Sequence, residues 1–508
     1  MNLRQTREQI IDLSAEPLGA GWLRRRPTET GTRESIGAGV WCTGPRYCFR
    51  DTLVAALDGV TDVAMVCSFL LAEKRIADAM LRASSRGVRV YVLTASEQRI
   101  GRVVREDDSF EQRMAEEHSR LLDRLYGKVL VRSAEHIHAK FLVTDPGSSA
   151  SARAWISTAN FNKALYDNLE IGVRLEGSAA RALADVFQWA FWCEAERESR
   201  SEGRLAAIRP AHPAAPARPA GHAILATLRE SQLLRERVIT MIGDARREVI
   251  VATYGLSREH PAVDALVHAA RRGVRVTVLT RPRPAIAEGA ATLVGAGVSV
   301  VAHEKLHAKA LVLDGQALVM SANLEPQGLD RGFEVGALLS TDASRAVEEC
   351  LREWADSFPW IFRVDATRGE HLGEFCPAAA SLRDGVVRVT DSHTQRLPSV
   401  IATDALALES ALTPSVPRPP RDELPRRMML AWDVVAPTLP SAARERFREI
   451  DREQPNTEAK PSARITCAPY EPRVFDQGSE VYVLLEEHSD ADRVRGAAAA
   501  LGATVVVR

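Results

Sequence analysis

Lysine is nearly absent from this 508-residue chain: there are seven, against 59 arginines. Arginine is therefore the default cation, and a surviving lysine is a candidate for a task that a guanidinium performs poorly. Cysteine is also sparse. Its seven copies stand at 42, 48, 67, 193, 350, 376 and 467, without a C-x-x-C pair. That pattern argues against a disulfide framework and a structural zinc site, and suits a reducing compartment. No apolar run approaches the roughly 20 residues needed to span a bilayer. The opening residues (MNLRQTREQIIDLSAEP) lack the apolar segment of a signal peptide. The expectation is a soluble cytoplasmic protein without integral membrane association. Excess charge is missing too: the formal net charge is −1. This removes any global attraction to polyanions but leaves room for a local basic groove.

What the chain does contain is one tripeptide written twice, His138-Ala139-Lys140 and His307-Ala308-Lys309. Each copy runs into an apolar stretch and then an aspartate, Asp145 or Asp314. A hydroxyl-bearing turn follows, Ser157-Thr158-Ala159-Asn160 or Ser321-Ala322-Asn323, and then a glutamate, Glu170 or Glu334. With twelve histidines and seven lysines in the whole chain, chance supplies well under one H-x-K. Two of the seven lysines sit in these motifs.

The surrounding sequence is duplicated as well. Asp62–Phe69 reads as a strand, Glu73–Ser85 as a helix with Ile76, Met80 and Leu81 on one face, and Val88–Leu93 as the next strand. Residues 248–280 repeat this block, displaced by 186 positions without a gap. The strand–helix–strand order predicts α/β domains with mixed, largely parallel sheets flanked by helices. The first half carries an insert with a charged helix around 106–126, read as an amphipathic helix packed on the sheet or as a lid. Each half closes with an aromatic-rich helix, 179–199 with Phe187, Trp189, Phe191 and Trp192, and 343–358; the aromatics are expected in the core. The domain reading is a first half over 1–204, a Pro/Ala-rich linker over 205–222, a second half over 223–365, and an accessory α+β domain of unassigned role over 366–508.

Residues i and i+2 of a strand share a face. His138 and Lys140 are therefore expected to project together, as are His307 and Lys309. An ammonium beside an imidazole repels a metal but suits a tetrahedral oxyanion, and it disfavours protonation of the ring. Asn160 and Asn323, with Thr158 and Ser321, would add neutral donors to phosphate oxygens. A glutamate on the other ring nitrogen would fix the tautomer. Asp145 and Asp314 are read as structural members of the motif. His136 and His138 together could mimic metal ligands, but nothing is spaced to complete that set, so neither metal nor cofactor is expected.

The paired H-x-K-x4-D, S/T-x-N and Glu pattern resembles the phospholipase D superfamily of metal-independent phosphodiesterases, over roughly residues 40–360. The turn departs from the family's pattern where its usual glycine is Ser157 or Met320 and its usual serine is Thr158. The resemblance implies one active site between the halves, a covalent phosphohistidine, His138 as nucleophile and His307 as general acid/base. On that basis Lys140, Lys309, Asn160, Asn323, Glu170 and Glu334 complete the catalytic set, with Thr158 and Ser321 binding substrate and a monomer sufficient for one site. The leading functional expectation is a nuclease acting on DNA or RNA, in bacterial genome defence or DNA processing, with a helicase or other defence protein as a partner. The alternatives are a phospholipase or phosphatidyltransferase, and a catalytically degenerate nucleic-acid-binding scaffold.

Overall fold

The computed structural model describes residues 17–25, 34–100, 109–199, 205–208, 223–229, 231–367, 373–382, 385–389, 394–395, 473–477 and 480–484. The chain divides into two compact units. One comprises Leu18–Ala366 and Cys376–Val386; the other comprises Met1–Pro17, Thr367–Phe375 and Val387–Arg508. In the latter, the strand-like runs of sequence at 386–390 and 481–485 meet strands Val387–Val389 and Glu480–Leu484. Arg473–Gln477 pairs antiparallel with Glu480–Leu484. The strand-like sequence at 505–507, the stretch 4–14 whose sequence reads as a short helix, and most of the linker lie outside the described residues.

The large unit begins within β1 (Pro17–Arg24), at Leu18. Its first half continues through β2 (Ser35–Gly37), β3 (Val40–Cys42), β4 (Val63–Ser68), β5 (Arg89–Ala95), β6 (Leu130–Ala134), β7 (Phe141–Thr144), β8 (Arg153–Ser157), β9 (Ile171–Glu176), β10 (Arg197–Ser199) and β11 (Leu205–Ala207). The second half contributes β12 (Ile224–Leu228), β13 (Ser231–Gln232), β14 (Glu248–Ala252), β15 (Arg275–Thr280), β16 (Ser299–Ala302), β17 (Ala310–Leu313), β18 (Gln316–Met320), β19 (Glu334–Leu338) and β20 (Trp360–Thr367). The first sheet contains the order β6-β5-β4-β7-β8-β9, and the second the order β16-β15-β14-β17-β18-β19. Strand for strand, the duplication is visible.

Both sheets are mixed, as the sequence implies, but parallel pairing is narrower than expected. Within the repeated six-strand sets it joins β4-β5-β6 and β14-β15-β16, while the remaining pairs of those sets run antiparallel. The strand after each H-x-K returns antiparallel to the central strand, β7 on β4 and β17 on β14. β4 is buried along its whole length, which is why it reads as a continuous apolar run rather than an alternation. Helix Lys74–Ser85 starts at Glu73, whose carboxylate accepts from the Arg75 amide at 3.2 Å. It stops at Gly87, whose φ of 90° only glycine adopts cheaply, and Gly273 repeats this at φ 90°.

The repeat is not free of gaps. Val63 pairs with Arg89 in the first sheet, whereas Glu248 pairs with Arg275 in the second. The central strands thus correspond at a shift of 185 and the next strands at 186, with one extra residue in the second strand-to-helix loop.

One face of each sheet joins a core shared by both halves, in which Phe141, Ile156, Val173 and Phe187 pack with Ala310, Val312, Val319, Val347 and Leu351. Cys42 and Cys350, both free thiols, approach to 2.7 Å between their Sγ atoms inside it. The opposite faces carry separate helix layers. Helix Ser109–Leu125 belongs to the first of these, with Leu121, Leu122 and Leu125 in the core, so its packed reading holds. The first closing helix is shorter than expected: Gly177–Trp189 passes into a π turn, Ala190–Glu194. Phe187 and Phe191 are buried, but Trp192 is exposed, with the Arg132 guanidinium 4.2 Å from its ring centroid.

Candidate active site

The H-x-K triplets lie just before their strands rather than in them, because β7 starts at Phe141 and β17 at Ala310. What holds them is the other half of the protein. The amides of His138 and Ala139 both donate to the Phe333 carbonyl, at 3.1 and 2.9 Å, and the Phe333 amide donates to the His136 carbonyl at 2.8 Å. The mirror image is complete: His307 and Ala308 donate to the Leu169 carbonyl at 3.0 and 2.9 Å, and the Leu169 amide donates to the Lys305 carbonyl at 2.7 Å. Phe333 and Leu169 directly precede the motif glutamates. The exchange therefore carries each glutamate to the histidine of the opposite copy.

His138 Nδ1 lies 2.6 Å from Glu334 Oε1, and His307 Nδ1 lies 2.6 Å from Glu170 Oε1. Both glutamates are fully buried. Burial alone would raise the Glu170 carboxyl, but His307 and Lys309 beside it hold it down at about 2. Glu334 is likewise low, held by His138 and Lys140 against its burial. An ionised carboxylate at Nδ1 makes that nitrogen the donor and leaves the lone pair on Nε2. Burial also lowers both histidines; each glutamate opposes that shift and the lysines reinforce it.

Lys140 and Lys309 are among the largest fully buried side chains. Each ammonium donates to its own motif's histidine carbonyl. Burial pushes Lys140 down to about 7, with Lys309 adding to the effect, and pushes Lys309 down to about 8. Lys140 feels Lys309 and both glutamates, and Lys309 feels both glutamates, so the charges of the two motifs share one buried cluster.

The hydroxyls do not take the place expected of them. Thr158 Oγ1 donates to Glu170 Oε2 at 2.6 Å and accepts from the Ile171 amide at 2.9 Å. Ser321 Oγ donates to Glu334 Oε2 and accepts from the Val335 amide at 3.1 Å. Neither has a hydrogen left for substrate; they hold the glutamates. Nor does Met320 narrow the site. Its side chain turns into the second half's own core. Room for it comes from Gly336 on the paired strand, where a Cβ would stand 3.2 Å from Met320 Cβ and 2.7 Å from Leu234 Cδ1. Asn323 donates from Nδ2 to Glu325 Oε1 at 2.8 Å, while its Oδ1 and that of Asn160 are buried without a partner. Both orphans are acceptors in the turns that follow the two motifs, so a group that satisfies them must bring its own hydrogen.

Asp145 and Asp314 stand away from this chemistry. Asp145 accepts from the amides of Thr61, Asp62 and Val63, with shortest distances of 3.0, 2.7 and 3.1 Å. Asp314 accepts from those of Arg246, Arg247 and Glu248 at 2.8, 3.0 and 2.9 Å. They staple the end of each H-x-K strand to the start of the central strand, from a left-handed backbone at φ 47° and 50°.

Three further residues belong to the site. Phe69 packs edge-on against His138 at 5.3 Å, and its counterpart Tyr254 lies 4.7 Å from His307. Arg281 lies over the Tyr254 ring at 5.1 Å. A sequence signal existed for the aromatic pair: each directly follows the hydroxyl residue that ends or follows a central strand. Arg281 gave none in an arginine-rich chain.

His138 and Asn323 open on a cleft of about 420 Å³ whose walls include Arg99, His136, Arg229 and Arg331. His136 bonds Glu194, and Arg229 pairs with Glu196 at 2.8 Å, so this histidine belongs to the rim. Among the described residues, no group of three or more His, Cys, Asp or Glu is arranged to hold a metal ion.

A family model described as "Cardiolipin synthase, PLD-like domain" matches residues 53–192 and 238–358. The chain belongs to the phospholipase D superfamily. It is 28% identical over 144 residues to a cardiolipin synthase of Geobacillus kaustophilus (strain HTA426), a match spanning 26% of this chain and 28% of that protein. Among solved structures, it resembles phosphatidylserine synthase from Haemophilus influenzae Rd KW20 at 12% identity, covering 69% of this chain and 91% of that one, with a TM-score of 0.45. It also resembles Nuc, a phospholipase D family member from Salmonella typhimurium, at 17% identity, covering 28% and 96%, with a TM-score of 0.24. As a phospholipase D-like chain, it carries both copies of the family's motif within one polypeptide. Among the described residues, no helix is long and apolar enough to cross a membrane.

Proposed function

We propose that this protein is a metal-independent nuclease that cleaves nucleic-acid phosphodiesters through a phosphohistidine intermediate. The reciprocal His–Glu pairs support the chemistry. The Nε2 lone pair of one histidine attacks phosphorus, and the P–O bond to the leaving group breaks. The second histidine gives its proton to the departing oxygen. It then takes a proton from water, the water oxygen attacks phosphorus, and the P–N bond breaks. Lys140 and Lys309 hold the non-bridging oxygens and offset the charge that a metal would otherwise meet.

The observation that carries the substrate reading is the cleft beside His138. Its thirteen lining residues include three arginines, three glutamates and two histidines but only one sizeable apolar side chain, Ile137. A polar sugar–phosphate strand fits such walls, whereas diacylglycerol needs an apolar one. Incubation with labelled single- and double-stranded oligonucleotides and with phosphatidylglycerol vesicles, all in excess EDTA, tests this. The expected result is oligonucleotide cleavage with the vesicles intact. Lipid turnover with untouched oligonucleotides would establish the phosphatidyltransferase alternative, and zinc-dependent recovery would defeat the metal-free mechanism. Partnership with a helicase or another defence protein and a cytoplasmic location are parts of the proposal that await a pull-down and fractionation.

A further inference from the structure

The two halves differ in charge where their second parallel strands end. Strand β15 repeats β5, and in that alignment Arg281 and Arg283 stand where the first half has Ala95 and Glu97. Both guanidiniums lie over Tyr254, with Cζ 5.1 and 4.2 Å from its ring centroid, and that ring is 4.7 Å from the ring of His307. Arg281 Nε donates to the Leu306 carbonyl at 3.1 Å, and its Nη2 donates to Asn168 Oδ1 at 3.3 Å. These neutral acceptors fix the side chain without neutralising it. Among the described residues, neither arginine forms an ion pair with a carboxylate. Burial pulls the Arg281 pKa down and Arg283 adds to that, against Tyr254 and Glu170. Two cations are thus held together beside a catalytic histidine with no direct counter-charge.

We propose that Arg281 and Arg283 bind a second phosphate of the substrate, next to the scissile one on the His307 side, so that the preferred substrate is a nucleotide chain rather than an isolated diester. The proposal rests on the phosphodiesterase reading above. Guanidinium forks match phosphate oxygens, and an anion between two like charges relieves their repulsion. The place is also the right one, since open α/β sheets take their ligands at the C-terminal ends of parallel strands. Lys140 and Lys309 are fully buried at the scissile position, whereas Arg281 and Arg283 are only half-buried and can meet a further group. Tyr254 sets them one ring's breadth from His307. A strand of nucleic acid carries a neighbouring phosphate beside each diester, and phosphatidylglycerol carries none. Glu97 would repel the same anion at the corresponding place in the first half, which makes the site one-sided and fixes the direction in which a strand lies.

The test compares substrates that differ by that phosphate alone. They are thymidine 5′-(4-nitrophenyl phosphate) with and without a 3′-phosphate, and the 3′-(4-nitrophenyl phosphate) isomer with and without a 5′-phosphate. In the unmodified protein the added phosphate should raise kcat/KM by about 10–100-fold in one of the two pairs, the worth of a charge-assisted hydrogen bond or two. That ratio should fall towards one in Arg281→Ala and in Arg283→Ala, shrink as salt is raised, and be partly kept in Arg283→Lys, which retains the charge. Because the ratio is taken within each protein, a general loss of folding or activity in a variant does not imitate this result. Equal kcat/KM within both pairs in the unmodified protein overturns the second-phosphate site and leaves the phosphodiesterase reading standing. A ratio that survives in both alanine variants does the same. An unmodified chain that releases no nitrophenolate from any of these substrates overturns the phosphodiesterase reading itself.

Discussion

At the scale of single residues, the site is a set of buried charges made tolerable by one another. Two lysines and two glutamates without exposed surface would be costly apart; together they hold the imidazoles in one tautomer and leave Nε2 free. Glu170→Gln and Glu334→Gln should each lower kcat by about 10³-fold with little change in KM, since the amide no longer fixes the tautomer. Matching steady-state kinetics for the two variants check this, and a loss confined to KM would contradict it. The lysines set a pH limit. On the proposed reading their charged forms hold the phosphate, and burial brings them to about 7 and about 8, below the ordinary lysine value. Binding should therefore weaken as pH rises through that window, and kcat/KM should fall well before pH 9. An alkaline limb at or above pH 10 would show that the lysines are not buried as described. The histidine–lysine pairs were legible in the sequence because lysine is so rare. The task of Thr158 and Ser321 was not. A hydroxyl in a phosphate-binding pattern reads as a phosphate donor, and only the fold shows its hydrogen already given to a glutamate.

At the scale of elements, each motif is a loop pinned at both ends. Asp145 and Asp314 secure one end with backbone bonds, and the exchanged carbonyls of Phe333 and Leu169 secure the other. Asp145→Ala should lower stability by about 1–3 kcal/mol while leaving 25 °C activity within a few-fold. Calorimetry alongside an activity assay tests this, and selective loss of activity at unchanged Tm would return the aspartate to the chemistry. Helix and strand positions followed from apolar periodicity and the glycine stops, because those signals are local. The antiparallel return of β7 and β17, and the one-residue shift between the copies, depend on pairing between distant strands, which periodicity does not encode. Placement of the triplets ahead of their strands has the same origin: their partners lie in the other half.

At the scale of the whole molecule, the duplication has become interdependence. The histidine of each half takes its glutamate from the other, and a common core, including the Cys42–Cys350 contact, joins them. Linear order hid this, since each glutamate follows its own copy's histidine. Because one chain holds the entire site, mixing His138→Ala with His307→Ala protein should restore no activity; recovery would reveal sites assembled between chains. The central claim is a double displacement at phosphorus without metal. A phosphorothioate diester of known configuration, hydrolysed in ¹⁸O-labelled water with excess EDTA, tests it most directly. Two successive in-line attacks predict overall retention of configuration at phosphorus. Inversion, the mark of a single attack by water, would contradict the phosphohistidine account.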